Sequence, residues 1–224
     1  MAPRKHAPTV SYDTPPRFIT QVEYRAFQAA YDFFNLRLFG GNLPQVLITL
    51  QRRAGMRGYL SCERFAARLA PGAVHELALN PNAFVDRSDR EICSTLVHEQ
   101  VHVWQHTHGT PSRPGYHNRE WADRMRTLGL APSSTEAPGG KETGQRMSHY
   151  IVEGGPYAQA WVELATQGFR LQWESPPDSP QARGKRESKT KYTCPGCGLN
   201  AWAKPAVTLV CGDCDTPLAA QEGP

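Results

Sequence analysis

SDREICSTLVHEQVHVWQH occupies residues 88–106, and this segment predicts the helix around which the rest of the fold is organised. Ser88 is a preferred N-cap residue, and Glu91, three positions later, completes a capping box. Apolar side chains recur through the segment, as expected for a helix with one face in a core. They are Ile92, Thr95, Leu96, Val97, Val101 and Val103.

The predicted helix contains an HExxH motif at residues 98–102. Because four residues make about one helical turn, His98 and His102 project from the same face. Two imidazoles on one face can hold one Zn²⁺, with Glu99 beside a metal-bound water. The competing interpretation is a set of surface histidines on an amphipathic helix.

A catalytic zinc usually takes three protein ligands, so the third must come from another part of the chain. His117 is favoured, because a loop followed by a new helix can bring a side chain back over the first helix. His106 would lie about 6 Å further along the same helix axis. His108, at the helix exit, and Glu120, on the next helix, stay open as alternatives.

These residues predict amide hydrolysis by a zinc-activated water. A bound Zn²⁺ lowers the pKa of its water towards ~7, so Glu99 can take the proton and pass it to the leaving amine. Tyr59, Tyr116 and His149 are candidate donors to the oxyanion, although packing or surface exposure explains each of them more simply.

The chain around the motif predicts an α+β fold, with helices packed on a short mixed or antiparallel sheet. A first helix is expected from Thr20 to residue 38, with Glu23 completing a second capping box. Strands are expected at 46–50, 58–65, 74–79 and 147–152, and further helices from His117 and over 157–169.

Two CxxC pairs near the C-terminus are separated by thirteen residues, 198–210. Such spacing predicts a tetrahedral structural zinc site in a β zinc ribbon, formed by Cys194, Cys197, Cys211 and Cys214. A module of about 27 residues cannot fold on core burial alone, so metal binding would supply the folding energy. The chain is therefore expected to hold one catalytic and one structural zinc.

The net charge of +4 and the pI near 8.8 permit nucleic-acid contact without requiring it. Phosphate contacts and base stacking could come from Lys185, Arg186, Lys189, Lys191, Trp202 and Lys204. The alternative is a solvated basic tether. No apolar run reaches membrane-spanning length and no signal peptide is evident, so a cytoplasmic protein with reduced cysteines is expected.

The order of these elements resembles the SprT-like domain family over roughly residues 20–130. The likeness rests on Gly58-Tyr-Leu, Arg64-Phe65, Glu76-Leu-Ala-Leu-Asn-Pro81, the HExxH helix followed by Trp104, and the helix of His117. The resemblance implies a small gluzincin-like metalloprotease, with His98, His102 and His117 as zinc ligands and Glu99 as catalytic acid and base. The glycine that usually follows the third ligand is Asn118 here.

The family includes Spartan-type proteases that degrade proteins crosslinked to DNA, and its bacterial type often ends in a zinc ribbon. The resemblance therefore implies a protein substrate and contact with DNA. One alternative is a nucleic-acid-binding regulator with a non-catalytic scaffold; another is a zinc hydrolase of a non-protein substrate. The expected organisation is an arm (1–19), a metalloprotease domain (20–130), an accessory segment (131–182), a basic linker (183–191) and a ribbon (192–218).

Overall fold

The computed structural model describes residues 18–175 and 189–221. The chain divides into two compact units, Met1–Pro176 and Pro177–Pro224. The described residues form four α-helices and several small sheets, which confirms the predicted α+β class. Among these residues, no helix has the length and apolar character needed to cross a membrane.

The first unit contains all four helices and five of the strands. In chain order these are α1 (Ile19–Phe39), β1 (Leu47–Leu50), β2 (Gly58–Ala66), β3 (Ala73–Leu79), α2 (Asp89–His108), α3 (Arg119–Thr127), β4 (Leu130–Ser133), β5 (Ser148–Ile151) and α4 (Pro156–Thr166). A 3₁₀ turn at Pro81–Ala83 joins β3 to α2.

The main sheet has the strand order β1-β3-β2. β1 runs parallel to β3, whereas β2 runs antiparallel to it, so the sheet is mixed. It is not a simple meander, because β3 lies between its two predecessors. A register shift between Ser61 and Phe65 interrupts the β2–β3 ladder, and Glu63 within it has a φ of 50°.

The predicted capping box opens α2: the Ser88 hydroxyl accepts from the Glu91 amide, and the Glu91 carboxylate accepts from the Ser88 amide. The apolar face of α2 packs in the same core as α1, β1 and β3. Tyr157, Leu164 and Phe169, from the segment predicted as accessory, lie in that core too. The domain boundary drawn at residue 130 stays a prediction.

The structure corrects one predicted cap and one predicted helix start. α1 begins at Ile19, within one residue of the prediction, but the capping box at Glu23 is wrong: Glu23 is buried and its carboxylate accepts the amide N–H of Gln172. α3 begins at Arg119, after His117, because the Asn118 side chain caps the helix by accepting from the Trp121 amide.

The second unit contains only short strands among its described residues. These are β6 (Thr190–Thr193), β7 (Asn200–Ala203), β8 (Val210–Cys211), β9 (Thr216–Pro217) and β10 (Ala219–Gln221). They form a three-stranded sheet of order β10-β6-β7 and a two-stranded β8–β9 ribbon. The Tyr192 hydroxyl, which is buried, donates to the Lys204 carbonyl and accepts from the Val207 amide.

Candidate metal centre

Helix α2 and the segment before α3 bring three histidines together. The ligand nitrogens of His98, His102 and His117 all lie within 4.8 Å of one another. His117 is held through its backbone, because its amide and carbonyl both pair with Gly144, at 2.8 and 3.1 Å. The third histidine is thus positioned by a β-bridge rather than by a helix.

A second set of hydrogen bonds orients the rings. His98 Nδ1 lies 3.3 Å from Nδ1 of His149, and His117 Nδ1 lies 3.2 Å from the Gly144 carbonyl oxygen. The Nε2 atoms of His98 and His117 face each other at 3.2 Å. Trp121 packs against the cluster, with ring centroids 4.4 Å from His117 and 4.9 Å from His98.

The electrostatics of the cluster favour neutral imidazoles. Burial lowers the pKa of His102 to about 3 and holds the pKa of His98 well below its usual range. Burial also lowers the pKa of His117. Neutral imidazole nitrogens with lone pairs are ligands that suit zinc and other transition metals, and they do not suit Ca²⁺ or Mg²⁺. The donor set therefore fits Zn²⁺.

Glu99 is buried beside the start of β2. Burial raises the pKa of its carboxyl to about 8. A Cβ on Gly58 would lie 3.0 Å from Glu99 Oε1 and 2.9 Å from the Ala78 carbonyl oxygen. The absence of a side chain at Gly58 therefore gives the carboxyl group its space against the sheet.

Asn80 holds the turn that leads into β2. Its side-chain amide donates to the carbonyls of Arg53 and Met56, at 2.8 and 2.7 Å, and its backbone amide donates to Arg57. These bonds fix the chain immediately before Gly58. The Leu-Asn-Pro sequence at the end of β3 therefore acts on the site through the turn it braces, a role that sequence reasoning missed.

The structure places the other candidate third ligands away from the cluster. His108 Nε2 lies 2.9 Å from the Asn42 carbonyl oxygen. The Glu120 carboxylate accepts from the Thr110 amide and from the Gln105 side chain, so it ties down the exit of α2. His106 belongs to a separate group with Cys62 and His75, whose ligand atoms also lie within 4.8 Å of one another.

The candidate oxyanion donors have other partners. The Tyr59 hydroxyl lies 3.4 Å from the Glu76 carboxylate, and the Arg113 guanidinium stacks on the Tyr116 ring. His149 is buried, with its second ring nitrogen 2.9 Å from the Ser94 hydroxyl. Burial, with smaller contributions from the positive charges of Arg87 and Arg57, lowers the pKa of His149 to about 3.

The four cysteines of the second unit also converge, with their sulfur atoms within 4.8 Å of one another. A Cβ on Gly196 would lie 3.3 Å from the Cys214 sulfur, so the backbone of the first knuckle closely approaches a cysteine of the second. The Cys197 backbone amide lowers the pKa of the Cys194 thiol to about 7. A lowered thiol pKa favours the thiolate that binds zinc, and this cluster suggests the predicted zinc ribbon.

The predicted nucleic-acid contacts fall partly within the described residues. Trp202 is 62% exposed and pairs in register with Lys191 on the neighbouring strand. Lys189 and Lys204 are exposed. Lys185 and Arg186 lie outside the described residues.

An HExxH helix, a third histidine and a buried carboxyl beside them form a candidate zinc centre. The sequence model of the SprT-like family matches residues 27–139. A protein of Salmonella typhimurium described as "Uncharacterized protein in mucB 3'region" is 47% identical over 58 residues, which cover 26% of this chain and 78% of that protein. The chain belongs to the SprT-like family, which is generally metalloprotease-like.

Proposed function

We propose that the chain is a zinc-dependent endopeptidase that hydrolyses peptide bonds with Glu99 as general base and acid. The observation that carries the proposal is the convergence of three neutral histidines within 4.8 Å, with Glu99 next to His98 on the same helix. A purely structural metal site has no need of a buried carboxyl group between its ligands.

His98, His102 and His117 would hold the metal. When bound, zinc polarises the substrate carbonyl and lowers the pKa of a water. Glu99 takes the proton of the attacking water and delivers it to the leaving nitrogen. β2 is one of the two edge strands of the main sheet, and its first residue, Gly58, lies against Glu99. An extended peptide that pairs with this edge would pass in front of the base.

Glu99→Gln tests the proposal, with Glu174→Gln as the matched control because Glu174 is exposed. Both proteins are loaded with zinc and incubated with casein, with and without single-stranded DNA. Glu99→Gln is expected to lose cleavage by about 10²–10⁴-fold while it keeps its zinc, because a general base contributes on that order. Glu174→Gln is expected to cleave like the wild type.

Equal cleavage by Glu99→Gln and the wild type would refute the role of Glu99. If neither the wild type nor Glu99→Gln cleaves casein, and both bind zinc, the result would favour the alternative of a non-catalytic scaffold. We further propose that the substrates include DNA-associated proteins. Cleavage of casein that DNA does not stimulate, and a DNA-bound protein cleaved no faster than casein, would argue against this narrower proposal.

We also propose that the second unit binds DNA. The supporting observation is the exposed Trp202 ring beside Lys191, with Lys204 directly after the strand that contains Trp202. Base stacking on an aromatic ring contributes roughly 1–3 kcal/mol per base, and each lysine–phosphate contact adds salt dependence. Trp202→Ala should weaken binding of single-stranded DNA in fluorescence anisotropy by about tenfold or more at every salt concentration.

Lys204→Ala separates the charge from the stacking. It should weaken binding mainly at low salt and reduce the slope of log K against log salt by about 0.7. Unchanged DNA affinity in both variants would leave the second unit as a structural module. The reduced thiols that this zinc cluster requires suit a cytoplasmic setting, which we propose for the protein.

A further inference from the structure

We propose that His149 is a positioning residue that, through Ser94, holds His98 in the tautomer whose Nε2 can bind the metal. The inference rests on the proposed zinc site, and it extends that site to a residue outside the HExxH motif. His149 lies on β5 and follows His98 in the chain by 51 residues.

The Glu91 carbonyl oxygen fixes the direction of each hydrogen bond that leads from Ser94 through His149 to His98. The Glu91 carbonyl oxygen can only accept, so the Ser94 hydroxyl donates to it, at 2.8 Å. That donation uses the only hydroxyl proton of Ser94. Ser94 Oγ must then accept from Nε2–H of His149, at 2.9 Å.

The same logic continues to the ligand. A neutral imidazole carries one N–H, so a His149 ring that donates from Nε2 has a lone pair on Nδ1. His98 Nδ1, at 3.3 Å, therefore donates to it. The lone pair of neutral His98 is left on Nε2, the nitrogen that faces His117.

His117 is arranged in the same way by a different partner. The Gly144 carbonyl oxygen, 3.2 Å from Nδ1, can only accept, so the lone pair of His117 also lies on Nε2. Two unprotonated nitrogens then face each other at 3.2 Å with no proton to share. A cation bound by both removes their repulsion, which is the arrangement that metal-binding histidines with acceptor partners show.

Both acceptors lie beyond the region that defines the family. Gly144 and His149 follow residue 139, where the match to the SprT-like model ends. The segment 140–151 therefore supplies the outer partners of two ligands. Its pairing with β4 places His149 opposite Pro132 in the β4–β5 ladder.

The test measures the zinc affinity of the whole 224-residue chain by competition with a chromophoric chelator. His102→Ala identifies which binding step belongs to the histidine site, because the cysteine site should not change. His149→Phe keeps the ring size but removes both nitrogens, and it should weaken zinc binding at the histidine site about 10–100-fold. His149→Asn puts an acceptor oxygen near the position of Nδ1 and should restore affinity to within about threefold of the wild type.

Two further variants keep the result interpretable. Ser94→Ala removes the group that fixes the His149 tautomer without changing the buried ring, and should weaken binding on the order of threefold. His108→Asn changes a histidine outside the cluster and should have no effect. If His149→Phe does not fold, Ser94→Ala and His149→Asn still decide: a Ser94→Ala affinity equal to the wild type would overturn the inference.

A folded His149→Phe that binds zinc as tightly as the wild type would also overturn it, as would equal losses in His149→Phe and His149→Asn. The outcome is separable from the proposed function. Zinc affinity that depends on His149 in a protein without peptidase activity would leave the positioning role intact. A wild type with no zinc step sensitive to His102→Ala would contradict both proposals.

Discussion

Two groups of side chains in the first unit bring three metal-binding atoms within 4.8 Å: His98 with His102 and His117, and Cys62 with His75 and His106. In the first group, the Gly144 carbonyl accepts from a ligand ring. In the second, the Glu63 amide donates to His75 Nδ1, at 2.9 Å.

A neutral His75 ring that accepts at Nδ1 carries its proton on Nε2, so neither of its nitrogens has a lone pair free for a metal. The second group is also open to water, since Cys62 and His106 are exposed, whereas His98 and His117 are 8% exposed. Proximity alone therefore does not distinguish a metal site. The two groups differ in which nitrogen of each ring carries the proton, and the hydrogen bonds from the surrounding backbone and side chains select that nitrogen.

The largest expected difference between the groups comes from two histidines one turn apart on α2. His102→Ala should remove one zinc per chain and lower kcat/KM for casein by about a thousandfold or more, because it removes a ligand of the reacting centre. His106→Ala should keep both quantities within about twofold of the wild type. Zinc is measured by elemental analysis after dialysis. Loss of zinc in His106→Ala would show that the two groups act as one metal site.

A smaller difference is expected along β2, where Gly58 lies against Glu99 and Cys62 belongs to the second group. Gly58→Ala puts a methyl group 3.0 Å from Glu99 Oε1 and should lower kcat about 10–100-fold with zinc retained, because a displacement of about 1 Å is costly at a reacting centre. Cys62→Ala, four residues further along the same strand, should leave kcat unchanged. Equal kcat in Gly58→Ala and the wild type would show that Glu99 tolerates displacement.

The smallest expected difference is in how the free energy of unfolding depends on pH, measured on protein from which a chelator has removed the metal. Burial lowers the pKa of His149 from 6.5 to about 3, so the unfolded chain takes up a proton that the folded chain does not. Its contribution to stability is complete above pH 6.5 and is lost as the pH falls towards 3. At pH 5 the loss is on the order of 2 kcal/mol.

His149→Asn should reduce the loss of unfolding free energy between pH 7.5 and pH 5 by about 1–2 kcal/mol in urea titrations. His75→Asn should change it less, because His75 is only partly buried. A larger effect of His75→Asn would place the acid-sensitive group in the exposed cluster.

The sequence predicted the parts of the site that depend on short-range geometry. The HExxH spacing and the Ser88–Glu91 capping box act within one or two helical turns, and the structure contains both. The predicted capping box at Glu23 is wrong because a partner distant in sequence, Gln172, competes for the carboxylate. Local pattern cannot reveal such a partner.

Partners distant in sequence also explain why the sequence did not predict the residues that orient the ligand rings. Spacing favoured His117 over His106 and His108, and the structure shows His117 beside the motif. Nothing in the sequence connects His149 or Gly144 to that cluster, because both contacts depend on how β5 and the preceding loop return to α2. The strand order β1-β3-β2 was missed for a similar reason, since a run of three strands equally suits a meander.

The bridge between His117 and Gly144 also bears on the order in which the protein becomes functional during synthesis. A nascent chain that has emerged only as far as His117 already carries all three ligand histidines and Glu99. It lacks the Gly144 carbonyl and the His149 ring, which are made about thirty residues later. On the proposed roles of Gly144 and His149, tight metal binding is expected only after the chain has folded through β5, and the proposed peptidase activity is expected no earlier.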